Sequence, residues 1–106
     1  LQFPLGEHRG DRIVGKVLYV DRFGNLITNI PQDILPADID GKQVTVVSGE
    51  RRWEQVRCVP SYGYVNSGDL LVTVGSNRFL ELSVNQGNAA QVLGMQADME
   101  CSLVFG

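Results

Sequence analysis

The chain has 106 residues, 43% of them hydrophobic and 20% charged, with 12 Gly and 4 Pro. That length supports one domain with a single core and no disulfide staples. The apolar fraction excludes a disordered chain, and no apolar run approaches the ~20 residues of a membrane-spanning helix. A net charge of −3, from 9 Lys+Arg against 12 Asp+Glu, lacks the basic footprint of a general nucleic-acid binder.

The opening residues, LQFPLGEHRGD, are mixed and partly charged, without the basic-then-apolar order of a secretory signal. Leu1 stands where an initiator Met would be, so the expectation is an excised piece of a longer protein, with part of any active site elsewhere. His8 falls in a polar N-terminal stretch and reads as a mobile surface residue without a positioned catalytic partner. Ile13–Val20, rich in Val, Ile and Tyr, suits a pleated surface. Phe23-Gly24-Asn25 follows as a turn that can supply positive φ at Gly24 or Asn25. Pro31 and Pro36 frame an irregular passage with one helical turn near Gln32–Leu35.

Lys42–Val47 is a β-branched run. Ser48-Gly49-Glu50-Arg51 then reads as a hairpin leading to a strand around Val56 and Cys58. Asn66-Ser67-Gly68-Asp69 is another turn. Leu70–Val74 is almost continuously apolar, as in a strand buried on both faces. Leu80, Leu82 and Val84 alternate with Phe79, Glu81 and Ser83. Asn88–Gly94 is the helix candidate, capped by Asn88 and ended by Gly94, barely two turns long. Met99, Cys101, Leu103 and Phe105 alternate with Asp98, Glu100, Ser102 and Val104 as a final strand with one apolar face. The prediction is an all-β domain: a small Greek-key-like β-barrel of six or seven strands with one short helix, since closure removes sticky edges.

Cys58 and Cys101 are far apart and belong to no C-x-x-C pair. Two buried, reduced thiols in a cytoplasmic protein are expected. One His and two scattered thiols lack metal-ligand spacing, so no metal site is expected. There is no G-x-S-x-G elbow, Walker loop or dinucleotide fingerprint. Scattered carboxylates on solvated strand faces argue against a self-contained hydrolase, and no catalytic residue is assigned to these 106 residues.

Polar residues bunch at three places. The first bunch runs from Asp21 to Asn29 and joins an acid, an aromatic, a glycine and two carboxamides. An ordinary decorated hairpin turn would use the same residues. The second is the turn Gly75-Ser76-Asn77-Arg78. The third runs from Val84 to Ala90, where Asn85 ends a strand and Asn88 starts the helix.

In these bunches the motifs DRFGNLITNI (Asp21 to Ile30), SYGYVNSGDLL (Ser61 to Leu71) and GSNRFLELSVNQGNAA (Gly75 to Ala90) resemble the C-terminal domain of the adenosine-forming S-adenosylmethionine (SAM) hydrolases. These are also called SAM hydroxide adenosyltransferases and are relatives of fluorinase and chlorinase. The resemblance runs from about Gly15 to the end of the chain, in order and with similar spacing.

The resemblance implies a two-domain enzyme, of which residues 1–106 are the C-terminal β-barrel and an N-terminal α/β domain is absent. It implies trimers, with each site between one subunit's N-terminal domain and its neighbour's C-terminal domain. Water, as hydroxide, attacks the ribose C5′ of SAM, releasing L-methionine and adenosine. SAM is the substrate and no cofactor is implied. Nucleic acid and membrane partners are not expected.

Residue by residue, Asp21 matches the acid that meets the methionine ammonium, and Phe23 matches an aromatic beside the ligand. Asn25 matches the carboxamide that reads the adenine edge. Tyr62 matches an aromatic that packs on adenine. Ser76 matches the hydroxyl near the methionine carboxylate. Asn85 and Gln86 match the strand end whose backbone contacts adenine.

Two departures favour the hydrolase branch. Asn77 stands where the halogenases carry an Arg for the substrate carboxylate, and the halogenases have one residue more between the acid and the Phe of the first motif. The alternatives are a SAM-dependent halogenase domain and a stand-alone β-barrel that binds another protein, with the polar bunches serving only as turns.

Overall fold

Hydrophobic alternation along successive short segments produces a closed ring of strands in the computed structural model, which describes residues 3–105. Leu1, which bears the expectation of an excised piece, lies outside the described residues. The strands are β1 (Glu7–Arg9), β2 (Arg12–Val20), β3 (Leu26–Pro31), β4 (Gln43–Ser48), β5 (Arg51–Cys58), β6 (Leu70–Val74), β7 (Phe79–Val84) and β8 (Glu100–Phe105), with the helix α1 (Ala89–Leu93) before β8. Their order is β1-β2-β3-β7-β6-β5-β4-β8, and β2 also pairs with β8. Seven strands therefore close into a barrel and β1 is an addition to its side, in agreement with the predicted small all-β barrel.

The closing strand is β2. Its first half, Arg12 to Lys16, pairs with β8 from Val104 back to Glu100. Its other edge is shared, with β1 beside Arg12 to Val14 and β3 beside Val17 to Val20. Between Gly15 and β3 the chains come very close: a Cβ on Gly15 would strike the side chains of Asn29 and Ile30. Glycine is the residue that permits this approach.

Inside the ring lie Ile13, Val17, Leu26, Ile30, Val44, Val46, Val72, Leu80, Leu82 and Leu103, all buried. One end is stoppered by α1, whose Ala89 and Leu93 are fully buried. Asn88 caps α1 by accepting from the Gln91 N–H at 3.0 Å, and Gly94 ends it in the left-handed region at φ 64°. The Arg51 guanidinium donates to the carbonyls of Leu93 and Gly94, where a cation complements the orphan C=O groups of a helix end.

Several expectations need correction. The alternative of an ordinary decorated turn describes only the first part of Asp21–Asn29, since Leu26 to Ile30 are all buried in β3. The period-2 signal is absent there because both faces are covered. Thr28 and Asn29 tolerate burial because their polar atoms are bonded. Thr28 Oγ1 donates to the Leu80 carbonyl at 2.7 Å and accepts from the Ile30 N–H at 3.2 Å. Asn29 donates to the Pro4 carbonyl and accepts from the Lys16 N–H, each at 2.8 Å.

His8 does not sit in loose chain. It lies in β1, exposed, with Nε2 2.8 Å from the Ile34 carbonyl oxygen. The strand around Val56 begins as early as Arg51, because a bulge at Gln55, φ 58°, breaks the alternation. Ser102, which the sequence set opposite the apolar face of the last strand, is buried, as is Ser83. The hairpin at Ser48–Arg51, the helical turn at Gln32–Ile34 and the two-sided burial of Leu71 and Val72 match the reading of the sequence.

Cys58 and Cys101 are buried and free. Burial first, and then the negative charges of Asp40 and Glu100, push their thiols up to about 11 and about 12 respectively. Thr28→Val keeps the shape but leaves the Leu80 carbonyl and Ile30 N–H without their partner. The expected loss is about 1–3 kcal/mol, read as a lower midpoint in urea at unchanged slope.

Candidate functional site

The turn after β2 is built around one carboxylate. Asp21 Oδ1 accepts from the backbone N–H groups of Phe23 and Asn25, and Oδ2 accepts from the Asn25 side-chain amide, all at 2.9 Å. This Asx-type arrangement needs a short acidic side chain at the start and positive φ within the loop, which Gly24 supplies at 84°. Burial works to raise the Asp21 pKa. The hydrogen bonds from Asn25 and Phe23, aided by the Arg22 charge, overcome it and hold the carboxyl below its ordinary 3.8.

The loop is clamped from the far end of the chain. The Ala90 N–H donates to the Gly24 carbonyl at 2.9 Å, and a Cβ on Gly24 would run into the Asn88 side chain. The stopper helix and the Asp21 turn are therefore one packed unit. Asn88 and Gly24 are each legible as a cap and a turn former, but no local pattern links residues so far apart in the chain.

A second loop, Tyr62–Tyr64 as one turn of 3₁₀ helix, stands opposite. It is tied to the end of β7: Asn85 Nδ2 donates to the Val65 carbonyl and Ser67 Oγ donates to Gln86 Oε1, each at 3.0 Å. The Asn85 backbone accepts from the Gly68 N–H at 2.8 Å and donates to the Asp69 carbonyl at 3.0 Å. Gln86 turns the chain away in the left-handed region at φ 56°.

Between these loops lies an open cleft of about 520 Å³, lined by Phe23, Asn25, Tyr62, Val84, Asn85, Gln86 and Gly87. The volume suits a small-molecule ligand. Phe23 and Tyr62 keep 63% and 52% of their surface exposed, which leaves both rings available to a ligand in the cleft. The Arg22 guanidinium lies 4.8 Å over the Phe23 ring. Five of the seven residues singled out in the sequence thus meet on one cleft, joined by Val84 and Gly87 of the third polar bunch, to which no ligand role was given.

Asp21 and Ser76 do not line this cleft. Asp21 braces it from behind. Ser76 is exposed in the β6–β7 turn, about 17 Å of strand rise from the cleft along β7. Asn77 Oδ1 accepts from the Phe79 N–H at 3.2 Å and so is committed to that turn. Glu81 spans the interval: its carboxylate lies against Gly75 and feels the charge of Asp21.

A groove of about 400 Å³ across the β4–β5 bulge, lined by Gln43, Val44, Thr45, Glu54, Gln55 and Val104, carries no aromatic ring. Among the described residues no three His, Cys, Asp or Glu side chains gather as a metal site requires.

Burial, then the Asp21 charge, raises the Glu81 carboxyl above its ordinary 4.5. A carboxyl raised in the folded state favours folding below its unfolded pKa, and that contribution is lost as pH rises through the folded pKa. Glu81→Gln should therefore raise the thermal midpoint at pH 7 and leave it unchanged at pH 3, measured by calorimetry at the two pH values.

Comparison with known proteins converges on one family. The model of the SAM hydroxide adenosyltransferase C-terminal domain matches residues 15–102. The (R)-S-adenosyl-L-methionine hydrolase of Thermus thermophilus is 37% identical over 90 residues, covering 85% of this chain and 31% of that protein. Two crystal structures share the fold across 98% of this chain. An uncharacterized conserved protein from Thermotoga maritima has a TM-score of 0.87 at 31% identity, with 40% of its own chain covered. A conserved hypothetical protein from Thermus thermophilus has a TM-score of 0.68 at 35% identity, with 39% covered. The chain spans about a third of the length of the curated relative it matches. With the three motifs in place on a closed barrel, the chain belongs to the SAM hydroxide adenosyltransferase C-terminal domain family.

Proposed function

We propose that this chain is the SAM-binding C-terminal domain of a SAM hydrolase, which converts SAM and water to adenosine and L-methionine. The observation that carries the reading is the cleft, where Phe23, Asn25, Tyr62, Asn85 and Gln86 converge from three separate segments. Exposed rings beside a carboxamide offer a flat base both a stacking face and an edge to pair with. Adenine occupies this cleft. The methionine end runs along β7 toward Asp21 and Ser76, with the ammonium at the acidic stretch and the carboxylate near the Ser76 hydroxyl.

On this reading the domain supplies no nucleophile and needs no cofactor. It binds the substrate and keeps bulk water from the reacting carbon. The groups that position the attacking water belong to an N-terminal α/β domain in the rest of a longer chain. The isolated barrel is inactive, and the complete enzyme is a cytoplasmic homotrimer whose sites lie between subunits. The name of the Thermus thermophilus relative specifies the (R) sulfonium epimer, and the same epimer is the substrate assigned here.

The hydrolase branch is favoured over the halogenases because Asn77, where they carry an Arg for the substrate carboxylate, is held within its own turn. In the full-length enzyme Asn25→Ala should raise the KM for SAM about 5- to 150-fold, for a buried hydrogen bond of about 1–3 kcal/mol. Steady-state kinetics that leave both KM and kcat unchanged would remove Asn25 from the site.

A further inference from the structure

The Asn25 amide is held by a carboxylate that lies behind the cleft. Asp21 Oδ2 holds the side-chain nitrogen of Asn25 at 2.9 Å while Oδ1 takes two backbone N–H groups of the same turn. An ionised carboxylate only accepts hydrogen bonds. The Asn25 amide therefore has one permitted orientation, with nitrogen toward Asp21. The same hydrogen bonds, which lower the Asp21 pKa against the effect of burial, keep it ionised at neutral pH. Asn25 Oδ1 meets no donor among the described residues, and one Nδ2 hydrogen remains unused. An acceptor and a donor thus stand side by side on a residue that lines the cleft.

We infer that Asp21 is a positioning residue that locks the Asn25 amide and thereby makes the site select a 6-amino purine over a 6-oxo purine. This rests on the reading of the cleft as the adenine site. Adenine presents an exocyclic N–H donor beside a ring-nitrogen acceptor, the pair that an asparagine amide meets with two hydrogen bonds. A 6-oxo purine sets its carbonyl oxygen against Asn25 Oδ1, acceptor facing acceptor, and the amide cannot turn over without placing its own oxygen against the Asp21 carboxylate. A contact between Asp21 and the substrate ammonium is compatible with this role, but it would not discriminate between bases.

The test compares kcat/KM for SAM and for its 6-oxo counterpart, S-inosylmethionine, in the full-length enzyme. Wild type should prefer SAM on the order of ten- to a hundred-fold. In Asp21→Asn the new amide keeps an oxygen for the two backbone donors and puts an NH₂ where Oδ2 stood. That turns Asn25 around, and the preference should collapse or invert. Asp21→Ser is a second variant: its hydroxyl still caps the turn but releases the Asn25 amide, so the ratio should fall toward one. A structural role alone would lower both rates together and leave the ratio intact. Equal use of both substrates by wild type overturns the inference, as does a wild-type ratio in either folded variant, and both results leave the hydrolase reading standing. Failure of wild type to turn over SAM overturns the hydrolase reading and this inference with it.

Discussion

A strand in a small sheet must find partners for both edges or leave them exposed, and β2 satisfies this by dividing its length. Half of it closes the ring against β8, while its other edge is completed by β1 and β3. This closure fixes where the chain can leave the barrel. The turn after β2, the end of β7 and the stopper helix are brought to one rim, and a cleft forms there because the Asp21 turn and the Tyr62 loop rise on opposite sides. Gly15 is part of the same constraint, since a side chain there would push β3 off β2.

The cleft is stiffened by polar contacts between segments, each of which holds a backbone or amide group in place. Asp21 ties Asn25 into its turn, the Gly24 carbonyl is taken by α1, and Asn85 and Gln86 fasten the Tyr62 loop. Among the described residues, the cleft still offers two exposed rings and, on Asn25, an amide oxygen and an amide hydrogen without protein partners. A preorganised set of this kind loses little freedom on binding.

Much of this was legible in the residues. Val, Ile and Leu alternation over β2, β7 and β8 announced strands, and Asn88 with Gly94 announced the helix ends, because these signals act within a few residues. Asn25, Tyr62, Asn85 and Gln86 were found through ordered motifs, and the fold brings them to one place. Other features depend on contacts between distant segments. β3 hid behind Thr28 and Asn29, whose burial requires Leu80 and Pro4 to supply hydrogen bonds. The bulge at Gln55 concealed half of β5. The dependence of Asn25 on Asp21 needed coordinates, since the same two residues in a plain turn could point apart.

The measurement that bears most directly on this account is a crystal structure of the complete enzyme with adenosine bound. The account predicts the base in the cleft against the Tyr62 ring, with its 6-amino group within hydrogen-bond distance of Asn25 Oδ1 and its other edge toward Asn85 and Gln86. A base bound on another surface, with this cleft filled by solvent or by a segment of protein, would contradict it.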